Sequence, residues 1–412
     1  MKSSWGGGAG WTGQPAIVKW DPQVLRTMNV KGKFLEKPNF TEVIYASLDG
    51  HVYFLDLETG EETRNPIRVG NPLKGSVSID SRGYPLLYVG EGIPEDGTIG
   101  FNLYSLTNQK RLFRMEGIDP FAHRKWGAFD GSALFNRQED SLLVGGENGM
   151  LYQIKLNTNY KPESKTISIN PVVNKYRYNI KNNPYQGIEN SVAVNGDLAY
   201  FADNGGSLQA LNLKTHKPEW SLSSTDDTDA TIVIEDEGGT PFLYTGTEVD
   251  KQGTIGDSII RKINGLTGKV VWQKEYPCFS LLGDHPVNGG LLATPVLGKK
   301  EIVNLVIFTI ARYDTLNGGL MVALDKSTGK EIWKLPMKSY SWSSPVDVYD
   351  NKGIAYIVQA DSVGNIFVIN ALDGKIKGKI NIGSNIEASP AIFNDYVVLA
   401  TREGKFYGLK LE

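Results

Sequence analysis

The sequence predicts an all-β fold, an eight-bladed β-propeller of four-stranded antiparallel blades, and three observations carry that prediction. One segment pattern recurs eight times at about fifty residues, the spacing of a propeller blade. With Gly at 46, aromatics at 10% and charged residues at 22%, the composition is that of a globular chain rich in strands and turns. Apolar residues come in strand-sized runs; the longest, 302–311, is interrupted by Asn304 and Thr309 and falls short of the ~18–20 residues that span a bilayer.

The repeat is clearest in VIYASLDGHVYFLDLETG (43–60): an apolar strand, a turn at Asp49-Gly50, a second apolar strand, and an Asp-x-x-Thr-Gly turn. The same order returns at 142–158, 198–215, 354–374 and 396–411, and with a longer hairpin turn at 86–108, 242–268 and 305–329. Upstream of each copy lies a short small-Pro-apolar segment, as in Thr294-Pro295-Val296, Ser344-Pro345-Val346 and Ser389-Pro390-Ala391. Proline is tolerated at the first residue of a strand, so these segments read as inner strands, with looser versions at 75–77, 132–134 and 191–193. Downstream comes Thr-Gly-Lys-x-x-Trp, at 267–272 and 328–333, with a looser copy at 215–220 and Phe113 in the aromatic place after Asn108. That segment reads as the outer strand, its indole sealing the apolar faces of neighbouring blades.

The eighth copy stops at Leu411-Glu412 without an outer strand, which would leave an open sheet edge. GQPAIVKW (13–20) is then expected to join the last blade and close the ring, giving a tail at 1–12 and one propeller domain at 13–412.

Charge and cysteine content narrow the functional classes. The net charge is −3 with no Lys/Arg run to track a phosphate backbone, which excludes nucleic acid as the expected partner. The opening MKSSWGGGAGW has no apolar stretch of signal-peptide type, so the chain is either cytosolic or a mature region restarted with Met. Cys278 is the single cysteine, read as a small buried apolar residue, and the four histidines have no metal-ligand spacing. The motifs G-x-S-x-G, G-x-x-x-x-G-K-[ST] and H-E-x-x-H are absent.

Taken together, apolar strand, Asp/Glu-x-Gly, Tyr/Phe-x-Leu-Asp, Thr-Gly and Lys-x-x-Trp resemble the pyrroloquinoline-quinone-type propeller repeat, over about 13–411. That repeat builds quinoprotein alcohol dehydrogenases and also non-enzymatic propellers such as the lipoprotein of the outer-membrane protein assembly machinery. WTGQP (11–15), GENG (146–149), WSSP (342–345) and IEASPA (386–391) are similar to a group of uncharacterised bacterial, mostly Gram-positive, propellers, which implies an exported or envelope protein. In the dehydrogenases, the resemblance implies, two adjacent cysteines close over the quinone, a Trp stacks beneath it, and Glu, Asn and Asp hold Ca²⁺. One cysteine cannot form that pair, so pyrroloquinoline quinone is disfavoured as a cofactor.

In a propeller the loops entering the innermost strands converge on one mouth. Residues just before those strands are therefore candidate ligand groups: Lys74, Trp126, Asp130, Glu189, Asn190, Asp227, Asp229, His285, Asn288, Trp342, Asn385 and Glu387. Three readings compete. The polar groups satisfy exposed strand ends; or the indoles stack on a sugar or peptide ring while amides and carboxylates take its polar groups; or the oxygens hold a hard cation such as Ca²⁺. STDDTDAT, within 223–231, lacks the Gly and terminal Glu of a calcium loop and reads as a solvated turn.

The expectation is a monomeric, non-catalytic binding or scaffold propeller of the cell envelope that meets a protein or glycan ligand. A quinoprotein-like oxidoreductase and a carbohydrate-active enzyme using Glu189, Asp227 or Glu387 are the alternatives.

Overall fold

The computed structural model describes residues 7–10, 13–223, 225–283 and 286–411. Eight antiparallel sheets follow one another along the chain as the blades of an eight-bladed propeller fold, most of them four-stranded and in simple sequence order. The described residues fall into two compact units. One holds 7–178, 187–191 and 391–411, and the other holds 179–186 and 192–390. The first three blades and the last belong to the former, and the fourth to seventh to the latter.

Within a blade the second strand is buried on both faces, as in Thr41–Ala46, Ser141–Gly146 and Leu305–Ala311. The third strand can alternate, as His51–Asp56 does. The apolar run and the alternating run of each repeat are thus two environments of one sheet: flanked by neighbours, or half exposed. Five third strands carry a register shift just before the Asp-x-x-Thr-Gly-type turn, at 103/104, 210/211, 262/263, 323/324 and 368/369. Such a bulge increases the local twist and swings the outer strand.

The outer-strand tryptophans of the second unit seal blade seams as the repeat predicts. Trp220, Trp272 and Trp333 donate their indole N–H groups to the carbonyls of Gly265, Lys326 and Ala371 of the following blade at 2.7, 2.9 and 3.0 Å. Each ring lies on the glycine that ends the receiving turn. A Cβ on Gly268, Gly329 or Gly374 would stand 2.8, 2.8 or 2.7 Å from an indole carbon, and all three have φ near +70°. Glycine is needed there twice over, for the left-handed backbone and for the ring above it.

The N-terminal segment departs from the expected closure. Ala16–Lys19 pairs with Thr41–Ala46, with Ile17 opposite Val43, and is the inner strand of the first blade. The last blade has three strands among the described residues, Ala391–Phe393, Tyr396–Ala400 and Phe406–Lys410. The reason lies in Trp20: it is buried, and its indole N–H donates to the Glu42 carboxylate at 2.9 Å, anchoring this strand in its own blade. That Glu42 also takes a bidentate contact from buried Arg64, at 2.6 and 3.1 Å. First and last blades are instead clasped by backbone: Ala9 N–H donates to Thr401 O, and Gly8 O accepts from Leu48 N–H, both at 2.9 Å. Two short helices the repeat does not foretell, Pro22–Leu25 and Gly32–Leu35, fill the first blade's connection and bury Leu25 and Phe34.

Candidate functional site

The small residues that begin the inner strands place the polar groups in front of them. Gln14 and Ser132 donate backbone N–H groups to the hydroxyls of Ser76 and Ser191. In the second unit Thr294 and Ser344 do the same to Ser344 and Ser389. A Cβ on Gly75 would lie 2.1 Å from Asp130 O, and one on Gly131 2.6 Å from Asn190 O, so consecutive inner strands touch backbone to backbone. Lys74, Asp130 and Glu189 stand directly before three such starts and are drawn into one cluster.

That cluster is buried and dominated by acids. The Lys74 ammonium bonds Asp130 and lies 3.1 Å from Glu189. Glu147, 3% exposed, is the third carboxylate, with Arg124 at 3.8 Å from its other side. Asp130, Glu147 and Glu189 each bring an oxygen within 4.8 Å of the others. Among the described residues Oδ1 of Asp130 and Oε1 of Glu147 are buried without a hydrogen-bond partner. Burial, together with the Glu189 charge and against the pull of Lys74, pushes Asp130 up to about 7. Burial, then Glu189 and Asp130, hold Glu147 well above the usual carboxylate range. Burial alone would lower Lys74, but the three acids hold it well above the ordinary lysine value. One ammonium is shared among three desolvated carboxylates, so the site retains protons near neutrality. The three oxygens could hold a hard cation once the Lys74 ammonium swings aside.

Glu147 was not among the sequence candidates. It sits in the hairpin Gly146–Gly149 of the GENG segment, held by its N–H on Ala128 O at 3.0 Å. The inner-strand rule looks only at residues before inner strands, and this group enters from the next hairpin. Asn190 is buried beside the cluster. Trp126 is 37% exposed, on a loop that begins and ends at Gly117 and Gly127, whose backbones touch.

In the second unit the remaining candidates make contacts of their own. Asp227 lies 3.3 Å from the Lys251 ammonium. Asn288 donates to Glu248 at 3.1 Å, and the Trp342 indole donates to Asn288 O at 3.2 Å. Trp342 is buried against Tyr340, ring centroids 5.7 Å apart, and Arg312 covers the Tyr340 ring at 4.2 Å. Asn385 donates to Glu387 at 3.0 Å, and Asp229 is half-buried. His285 lies outside the described residues. The solvated turn expected at 223–231 is corrected over its described residues: Asp226 and Asp227 are 1% and 8% exposed. Asp226 accepts backbone N–H groups from Asp250 and Lys251 and the Gln252 amide, so it shapes the facing loop.

The residues do not fit pyrroloquinoline quinone as the dehydrogenases hold it. Cys278, the only cysteine of the sequence, is buried in the outer strand Val270–Phe279, its thiol 3.4 Å from Tyr276 O and pushed up to about 12 by burial.

Comparison with known proteins agrees with the repeat. A family model described as outer membrane protein assembly factor BamB matches residues 317–412. The chain is 27% identical over 222 residues to outer membrane protein assembly factor BamB of Burkholderia pseudomallei, covering 52% of this chain and 50% of that protein. It is 24% identical over 168 residues to quinoprotein ethanol dehydrogenase of Pseudomonas putida, covering 39% and 25%. The matched segments thus span a quarter to a half of these relatives. Among solved structures, BamB from Moraxella catarrhalis superposes with a TM-score of 0.60 at 15% identity, over 96% of this chain and 98% of that one. The computationally designed Ika8 protein superposes with a TM-score of 0.57 at 12% identity, over 90% and 93%. Both likenesses establish the fold.

Proposed function

We propose that the protein is a non-catalytic binding or scaffold propeller of the bacterial cell envelope whose ligand is another protein. The observation that carries this reading is the loop between Gly117 and Gly127. Ile118, Phe121 and Trp126 on it are 49%, 45% and 37% exposed, three large apolar side chains within nine residues of one another. The loop is not slack. Asn148 donates to Gly117 O at 2.7 Å, and Lys175 pairs with Asp119 at 2.7 Å. Arg124 reaches Glu147, and the Arg177 guanidinium lies 4.2 Å from the Phe121 ring centroid. A fixed loop that holds apolar groups in water has little conformational entropy left to lose on binding, and exposed aromatic anchors of this kind dominate protein interfaces. The similarity to an assembly factor over half the chain supports the same role.

The test compares the wild type with a triple variant, Ile118→Ser, Phe121→Ser and Trp126→Ser, as bait for solubilised envelope proteins, with a glycan array as the second arm. Specific capture lost in the variant is the expected result. Glycan binding that the variant retains, with no protein captured, would move the ligand to another surface and class.

A further inference from the structure

The loop between Gly117 and Gly127 carries charge of one sign as well as apolar groups, and this narrows what it can meet. Residues 117–127 and the outer strand beside them, Val172–Arg177, hold four cationic side chains, Arg124, Lys125, Lys175 and Arg177, and one acid, Asp119. The whole chain, by contrast, has a net charge of −3. Asp119, 5% exposed at its side chain, pairs with Lys175 and accepts from the Tyr152 hydroxyl at 3.3 Å. Of the acids flanking the loop, Glu147 is buried and faces Arg124, and Glu116 is held by Arg114 at 3.0 Å and by the Thr98 hydroxyl at 2.8 Å. The accessible charge is therefore positive, and Lys125 and Arg177 are both exposed. The Arg177 guanidinium is fixed twice: it covers the Phe121 ring at 4.2 Å and donates to Phe121 O at 2.8 Å. A guanidinium held by its face and one N–H still presents an edge of N–H groups, which fits a carboxylate in its own plane.

We propose that the partner segment this loop receives is acidic, a stretch of polypeptide with Asp or Glu interleaved among apolar residues. The proposal rests on the loop being a protein-binding surface. Arg177 and Lys125 take the carboxylates, and Ile118, Phe121 and Trp126 take the apolar side chains. The cations stand beside the rings, Arg177 on Phe121 and Lys125 next to Trp126 in the chain, so one short segment of the partner meets both. Charge complementarity of this kind steers the encounter and rejects basic partners, while the aromatic anchors supply most of the affinity. An anionic lipid surface fits less well. His123, Arg124 and Lys125 lie between Phe121 and Trp126, and sinking both rings into hydrocarbon would carry charged groups with them.

The probe is a labelled acidic peptide, GSEDFEELDDFSG, set against a neutral counterpart with amides for carboxylates, GSQNFQQLNNFSG. Binding to the full chain is followed by fluorescence anisotropy at about 50 mM and about 300 mM NaCl. Saturable binding of the acidic peptide is expected, weakened about fivefold or more at the higher salt and about tenfold or more for the neutral peptide. Lys125→Glu, at an exposed position, should weaken the acidic peptide about fivefold and leave the neutral one unchanged, and Lys125→Arg should restore binding. The triple variant Ile118→Ser, Phe121→Ser and Trp126→Ser should lose both peptides. Equal binding of the two peptides, lost in the triple variant, overturns the acidic partner and leaves the loop as a protein-binding surface. Acidic-peptide binding that survives the triple variant, or no binding of either peptide, also overturns it, and the capture experiment above then judges the loop separately. Binding to phosphatidylglycerol vesicles that the triple variant loses, with no peptide bound, overturns it in favour of a membrane surface.

Discussion

Replacing Asp130 by asparagine should make the protein more stable at high pH and leave it nearly unchanged at low pH. Asp130 moves from 3.8 in a free chain to about 7 in the fold, with burial the leading cause. The folded state therefore holds a proton that the unfolded chain has released. A raised carboxyl contributes stability that is fully present below the unfolded value and is lost as pH rises through the folded one. One proton is worth ~1.4 kcal/mol per pH unit, so a shift of about three units removes ~4 kcal/mol across that window, of which ~3 falls between about pH 5 and pH 8. Asparagine keeps the shape and cannot ionise, so Asp130→Asn should show a gain of ~3 kcal/mol over the wild type on going from about pH 5 to pH 8. The assay is equilibrium urea unfolding of both proteins at the two pH values, read by tryptophan fluorescence. Using the change in the difference cancels any packing cost of the amide. Were Asp130→Asn equally destabilising at both, the Lys74 ion pair would outweigh burial and the carboxyl would titrate in the ordinary range.

Other consequences can be checked in the same way. Glu147→Gln should act in the same direction as Asp130→Asn, since burial and two neighbouring acids raise Glu147; a pH-independent effect would contradict this. Lys74→Met leaves three carboxylates without their ammonium and should cost ~3–5 kcal/mol at about pH 8, with partial recovery in millimolar Ca²⁺; a loss that Ca²⁺ does not touch would argue against cation capacity. Trp272→Ala should cost ~3–5 kcal/mol and Trp272→Phe about 1–2, separating ring packing from the bond to Lys326 O; equal losses would mean the hydrogen bond contributes nothing. Glu42→Ala strands the buried Arg64 guanidinium and should cost ~3–5 kcal/mol by chemical denaturation. Deleting residues 11–22 removes the inner strand of the first blade and Trp20, and unchanged melting would contradict the pairing of Ala16–Lys19 with Thr41–Ala46.

Much of the fold is local and could be read from the chain. Strand runs, Asp-x-x-Thr-Gly turns and Lys-x-x-Trp endings each depend on a few adjacent residues, and their return at a fixed period implied blades. The seam tryptophans were legible for the same reason, because ring, glycine and carbonyl come from repeating units. The site was legible in part: Lys74, Asp130 and Glu189 precede successive inner strands, and equivalent positions in a repeat come together in space. Glu147 escaped, since it enters the cluster from a hairpin, and periodicity says nothing about which hairpin leans inward. Asp226 and Asp227 looked like a solvated turn because local polarity does not reveal the loop 250–252 that covers them.

What the sequence determined by itself is the repeating unit: its strands, its turns and the places where glycine and tryptophan must stand. Only the tertiary structure decided how the ends meet. Ala16–Lys19 is apolar enough to complete either the first or the last blade, and periodicity cannot choose between two edges of the same kind. The strand is held in the first blade by a long-range contact, buried Trp20 on Glu42, which Arg64 holds in turn. The protonation of the Lys74 cluster is likewise a tertiary property. Composition gives a nearly balanced chain, whereas desolvation of three acids around one ammonium depends on which backbones touch.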